Sequence, residues 1–247
     1  MKELILKATD LVGRTTQCIL GANIPYNFEL YAGEVGILFS ENESSELGRL
    51  IAAQGTIKRG SLKYHTDIGF NETSSTWKQN IGFGFREKGL LSNLSLFENV
   101  HLPVNYYNAD PTSANLALKD IGVSESLWNK RPHQVSQSIQ KLTLLARSIV
   151  LAPKLLFLDD PSALLSPTEK KEFYHWIQRQ RKKGLAILIA TDEIYRAATW
   201  GDWYICPRDH VRKDDFKEIF SPEQLDIQAA LKKQMNKKDF FDELLSS

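Results

Sequence analysis

Cysteine is nearly missing from this sequence: Cys18 and Cys206 are the only two in 247 residues, and they form no CxxC pair. A disulfide framework and a cysteine-held zinc cluster are excluded as organising principles. The five histidines are scattered and contain no HExxH, the commonest zinc-hydrolase pattern. An excess of charge is missing too, since 31 Lys and Arg against 30 Asp and Glu leave a net charge of +1. Such a balance gives no general pull toward nucleic acid or anionic membrane, although it allows a local basic patch. No apolar run approaches the ~20 residues needed to cross a bilayer. The opening MKELILKATD lacks the long apolar stretch of a secretion signal. The chain is therefore expected to be cytoplasmic, with any membrane association made through a partner.

What is present is an ordinary globular composition, 42% hydrophobic and 25% charged, long enough to bury a sizeable core without staples. Leu4–Leu6 alternates into Leu11–Val12 and predicts an edge strand; Cys18–Leu20 and Tyr26–Phe28 read as a second extended piece. Gly33–Phe39 is almost continuously apolar, as befits a strand covered on both faces. The polar stretch Ser40–Glu46 predicts a turn, and Leu47, Leu50 and Ile51 fall at helical spacing after it. Residues 55–80 read as short strands and turns, and Ile81–Phe85 as a strand. Helices are predicted through most of 94–130, over Ser136–Val150 and over Pro167–Lys182. Two further buried strands, Leu155–Leu158 and Leu185–Ala190, alternate with them. This order predicts an α/β fold: a mostly parallel central sheet with flanking helices, an N-terminal antiparallel β part and a helical subdomain at about 86–150. The main domain is expected over 1–210, and 211–247 shifts to a charged composition that predicts a helical C-terminal extension.

Several segments, in this order, resemble the motifs of ATP-binding cassette (ABC) ATPase subunits, a P-loop NTPase-like fold, over roughly residues 3–210. Gly33–Gly48 stands where that family has its P-loop. IGFGFREKGLLSNLSLFENV, from Ile81, resembles the Q-loop and the segment after it. Val135-Ser136-Gln137-Ser138-Ile139 stands at the signature motif, LLFLDDPSALLSP resembles the Walker B strand and D-loop, and Ala190–Glu193 stands at the switch histidine. The resemblance implies a dimeric ATPase beneath a membrane transporter, using ATP and Mg²⁺.

The residues at the chemical positions disagree with that implication. A P-loop needs glycines whose N–H groups close on phosphate, a lysine for the terminal phosphates, and a hydroxyl for Mg²⁺. Over Ser40-Glu41-Asn42-Glu43-Ser44-Ser45-Glu46-Leu47-Gly48, the glycine positions hold Ser40, Glu43 and Ser45. The lysine position holds Glu46, and the two hydroxyl positions hold Leu47 and Gly48. A charge reversal ~4 Å from a phosphate, at an effective dielectric of ~20, is worth ~4 kcal/mol per unit pair. Arg86 replaces the Q-loop glutamine, and Gln137 and Ser138 replace the signature glycines. Asp159 is retained, Asp160 stands for the catalytic glutamate, Ser166 for the D-loop aspartate and Asp192 for the switch histidine. No aromatic stands near Val12–Arg14 to stack on adenine. Simpler readings stand beside these: Asp159 as a strand-end carboxylate, Asp160-Pro161 as a turn starter, and Ser136 as the N-cap of its helix. Arg86 reads either as a solvated side chain or as a cation filling the metal space, paired with Glu46 or Asp159.

The pattern keeps buried strands and helices and loses contacts to phosphate and metal, so the chain is expected to be a pseudo-ATPase with no cofactor and no resident metal. Leu90, Leu91, Leu94 and Phe97 lie where the family receives a membrane subunit's coupling helix, and they are expected to dock one. The partners implied are an integral membrane transporter subunit and a second ATPase subunit, identical or not, at the cytoplasmic face; no nucleic acid is expected. GLLSNLSLFENVHLP is similar to ATPases of bacterial lipid and lipoprotein transport, including mammalian-cell-entry systems. Two alternatives stand: a slow or unusual ATPase, with ATP and Mg²⁺ as cofactors, and a soluble ABC-family protein acting on ribosome or DNA.

Overall fold

The computed structural model describes residues 2–14, 19–20, 25–38, 43–65, 68, 76–86, 89–191, 201–206 and 209–212. Four strands form an antiparallel sheet at the start of the chain: β1 (Leu4–Arg14), β2 (Ile19–Leu20), β3 (Tyr26–Tyr31) and, after an intervening strand β4 (Val35–Leu38) and helix α1 (Glu43–Ile51), β5 (Thr56–Tyr64). β1 is not the edge strand its pattern predicted. It pairs with β5 along one side and with β3 and β2 on the other. Ile5, Leu6, Ala8 and Leu11 are buried, which its alternation foreshadowed; pairing on both sides is a long-range matter that alternation does not encode.

The second sheet holds β4, β6 (Ile81–Gly84), β7 (Leu155–Asp159), β8 (Ala186–Ala190), β9 (Trp203–Cys206) and β10 (Asp209–Arg212) in the order β10-β9-β4-β8-β7-β6. All neighbours are parallel except β9 and β10. Between β6 and β7 the chain makes α2 (Leu96–Tyr107), α3 (Ser113–Ile121) and α4 (Gln137–Ile149); α5 (Pro167–Lys182) joins β7 to β8. Every residue of β4, β7 and β8 is buried, and their side chains divide by alternation between two cores. Val35, Ile37, Leu156, Leu158, Ile187 and Ile189 face the helices, with Leu118, Leu145 and Trp176. Leu38, Leu155, Phe157, Ala186 and Leu188 face α1 and the antiparallel sheet, with Leu6, Phe28 and Leu50. The parallel sheet is thus the middle layer, which is why its strands read as unbroken apolar runs.

Two further expectations change. Residues 56–64 form one nine-residue strand rather than several short ones. The expected turn at Ser40–Glu46 gives way to helix from Glu43 onward. The expected C-terminal helices lie outside the described residues beyond Arg212, where Val211 and Arg212 close β10.

Candidate functional site at the carboxyl edge of the parallel sheet

Parallel strands bring their carboxyl ends to one edge, and in α/β sheets ligands bind in the crevice there. Here Leu38, Gly84, Asp159 and Ala190 end β4, β6, β7 and β8 along that edge. Ser40, Glu41, Asn42 and Asp192, together with the side chains of Glu43, Ser44, Ser45 and Glu46, lie outside the described residues. The described part of the edge is built from β7, α1, α4 and the residue after Phe85.

β7 delivers two adjacent carboxylates, Asp159 and Asp160, both buried. Asp160 adopts a left-handed backbone conformation with φ 42°, which aspartate tolerates better than most residues. Its N–H donates to the Ala190 carbonyl at 2.8 Å, tying the turn to β8. Arg86 forms an ion pair with Asp160, Nη2 to Oδ2 at 3.3 Å. The expected partner was Glu46 or Asp159; the side chain of Glu46 lies outside the described residues, and the described pairing is with Asp160, one position beyond Asp159. Asp160 stands in the left-handed turn just past β7, whereas Asp159 is in register with Ala190 of β8.

α4 contributes a residue that motif reading passed over. Lys141 is only 4% exposed, and its Nζ donates to the Asp159 carbonyl at 3.4 Å. Burial pushes the ammonium below its ordinary pKa, the charges of Asp160 and Asp159 oppose that shift, and Arg86 adds to it. The signal was available in the sequence. Lys141 falls four residues before Leu145 and next to Leu142, on the face the helix buries.

The remaining stations are occupied by packing and by caps. Leu47 is fully buried between the two sheets. A Cβ on Gly48 would sit 2.3 Å from Cε1 of Phe157, so glycine is required there by the approach of α1 to β7. Ser136 caps α4 by accepting from the Ile139 N–H at 3.3 Å, and its Oγ lies 3.0 Å from that of Ser138. Val135 and Ile139 pack against the helical core, and Gln137 is exposed. Ser166 caps α5 in a reciprocal box with Glu169: the Ser166 N–H donates to Glu169 Oε2 at 2.7 Å and the Glu169 N–H to Ser166 Oγ at 3.3 Å. Arg147 donates to the Gly89 carbonyl at 2.7 Å.

The four side chains expected to meet a partner are separated by the fold. Leu90 and Phe97 pack against the helical core, and Phe97 stacks on His101 and Trp128 at centroid distances of 5.3 and 6.3 Å. Leu94 is half-buried, and Leu91 is 49% exposed. The loop that presents Leu91 is held by the buried Asn99, which accepts from the Leu91 N–H at 2.7 Å and donates to the carbonyls of Leu91, Leu94 and Ser95. Beside it lies a cavity of about 220 Å³ lined by Arg49, Gln54, Phe83, Phe85, Leu144 and Arg147.

Layer order, strand order and the motif positions along this edge define a nucleotide-binding-cassette architecture. Residues 25–163, more than half of the chain, match the family model for the ABC transporter ATP-binding domain, and the chain belongs to that family. It is 29% identical over 179 residues to a fructose import ATP-binding protein of Bifidobacterium longum, covering 67% of this chain and 35% of that one. It is likewise 29% identical over 144 residues to an energy-coupling factor transporter ATP-binding protein of Leuconostoc mesenteroides, covering 57% and 48%. The chain therefore spans half or less of the length of these curated relatives. Among solved structures, it superposes on an ATP-binding subunit of an ABC transporter with a TM-score of 0.76 at 19% identity, covering 98% and 99% of the two chains. It superposes on cbiO1 from Clostridium perfringens, part of the transporter complex cbiONQ, with a TM-score of 0.76 at 23% identity, covering 93% and 96%. No helix among the described residues is long and apolar enough to cross a membrane.

Proposed function

We propose that this chain is a catalytically degenerate ABC subunit. It holds a transporter complex together at the cytoplasmic face of a membrane, through an integral membrane subunit and a second ATPase-type subunit, without hydrolysing ATP. The observation that carries this reading is the packing of α1. Leu47 is buried in the inter-sheet core and Gly48 lies against the Phe157 ring. The two positions at which the family supplies a metal-binding hydroxyl are thus used to join α1 to β7. Lipid as the cargo rests on the resemblance of residues 89–103 alone.

ATP turnover by the purified chain is expected to stay at background. Turnover abolished by Asp159→Ala would sink the reading. Docking is tested apart from chemistry. Leu91→Asp is expected to release the chain from detergent-solubilised membranes with circular dichroism unchanged. Phe97→Asp is not a docking probe, because it places a carboxylate against Trp128 and the helical core. A Leu91→Asp chain that stays bound would remove the docking surface from the proposal.

A second reading, a slow ATPase, is favoured by one observation: two buried carboxylates, Asp159 and Asp160, still stand at the end of β7.

A further inference from the structure

Two adjacent carboxylates buried at a strand end need compensation, because an uncompensated buried charge is strongly unfavourable. In proteins, hard divalent cations held by carboxylate oxygens are one common answer. Among the described residues, two cations from different elements approach this pair. Arg86, from the segment after β6, reaches Asp160 at 3.3 Å with half its side chain in solvent. Lys141, from the buried face of α4, reaches the Asp159 carbonyl at 3.4 Å with almost no solvent contact.

The burial of Lys141 is the informative part. Its neighbours on that face of α4 are Leu142, Leu145 and Ala146, and any apolar residue there would extend the core. An ammonium at this place gives up its hydration, and its pKa is lowered accordingly. What it gains is the field of two carboxylates. A flexible four-carbon stem ending in a compact point charge is the protein group most like a metal ion in that field.

We propose that Lys141 is a tethered cation that supplies, together with Arg86, the positive charge Asp159 and Asp160 would otherwise draw from a divalent metal ion, so that the site excludes ions of the Mg²⁺ class. The proposal deepens the function proposed above and rests on its reading of this edge as a degenerate nucleotide site. The described residues do not fit the metal: their part of the edge offers two cations, Arg86 and Lys141, and, at Leu47 and Gly48, no hydroxyl.

The test uses the full chain and Mn²⁺ as the probe, with free Mn²⁺ read by electron paramagnetic resonance and the melting temperature read with and without the ion. Wild type and Asp159→Asn are expected to give the same Mn²⁺ isotherm. Lys141→Met combined with Arg86→Gln is expected to melt lower in chelator, to recover with Mn²⁺, and to bind it at least about tenfold more tightly than wild type. Adding Asp159→Asn to that pair is expected to abolish both gains, whereas Lys141→Arg alone is expected to behave as wild type. A pair variant that fails to fold in chelator serves the same test, since Mn²⁺ either restores its folded spectrum or does not. The proposal is overturned if Mn²⁺ gives no recovery, or if wild type already binds Mn²⁺ through Asp159. ATP turnover is assayed on the same samples. In wild type, turnover without an Asp159-dependent Mn²⁺ site sinks only the pseudo-ATPase reading, and such a site without turnover sinks only the tethered cation.

Discussion

The two edges of the parallel sheet neutralise charge in different ways. At the amino edge, Nη2 of Arg181 lies 2.7 Å from both carboxylate oxygens of Asp202, and its Nε donates to the Gly33 carbonyl at 3.2 Å. Asp202 Oδ2 also accepts from the Val35 N–H at 2.8 Å, and the Asp202 N–H donates to the Val35 carbonyl at 2.8 Å. The clamp ties α5, β4 and the residue before β9 into one unit. At the carboxyl edge the contacts are longer: 3.3 Å for Arg86 with Asp160 and 3.4 Å for Lys141 with the Asp159 carbonyl. Short, multiply bonded charges fix geometry. Charges balanced at longer range keep their field directed into the site. The amino edge is built to hold the fold, and the described part of the carboxyl edge sets two cations against two buried carboxylates.

The contrast breaks first at Asp202. Asp202→Ala strands a half-buried guanidinium and removes the acceptor for Val35, and about 3 kcal/mol of stability should be lost. For a chain of this size that lowers the melting temperature by roughly 6–12 °C. Arg86→Gln, which removes a largely exposed partner at the other edge, should cost less than about 1 kcal/mol. Urea titrations of the two variants measure both; equal costs would erase the distinction between the edges.

The next largest effect is steric. Gly48→Thr, which puts a hydroxyl back where the family has one, forces a Cβ into the Phe157 ring. A cost of about 1–3 kcal/mol is expected from overpacking, with part of it recovered by Phe157→Leu. A Gly48→Thr chain as stable as wild type would mean that the glycine is not required by α1 packing. The loss of the hydroxyl would then be readable as chemistry alone.

Much of this was legible in the sequence because it depends on local pattern. β4, β7 and β8 are continuous apolar runs since both their faces are covered, and the cap of α4 is read directly from Ser136, whereas the cap that Ser166 gives α5 emerges only in the structure. The centrality of β1 was not legible, because an alternating strand looks the same with one partner or two. Nor was the inward turn of Phe97 beside Trp128, whose contact joins positions 31 residues apart in sequence. At the candidate site, the positions of Asp159, Asp160 and Arg86 were readable. Their pairing was not, since it depends on the left-handed turn at Asp160. Lys141 is a charge on an apolar face that lies just past the signature stretch Val135–Ile139 and in none of the motifs.

The smallest effect tests whether Ser166, which stands where the family has an aspartate, is only a cap at the carboxyl edge. Hydrogen bonds from the Ser166 backbone and side chain, with a further one from Ser138, hold the Glu169 carboxyl below its ordinary value of 4.5 against a small opposing effect of burial. Because the folded-state value is the lower one, this contribution is fully present above about pH 5 and is lost as pH falls through the folded-state value. Ser166→Ala removes the side-chain cap and should cost about 0.5–1 kcal/mol at neutral pH; only the side chain's share of the carboxyl's stabilisation fades below about pH 4, because the backbone N–H still donates. Ser166→Asp, an equally good N-cap, should keep nearly all the stability. Thermal melts from pH 7 to pH 3 read the whole series. If Ser166→Ala instead left every melt unchanged while weakening self-association in sedimentation, Ser166 would belong to a subunit interface, and the carboxyl edge would carry one more retained contact than its charges show.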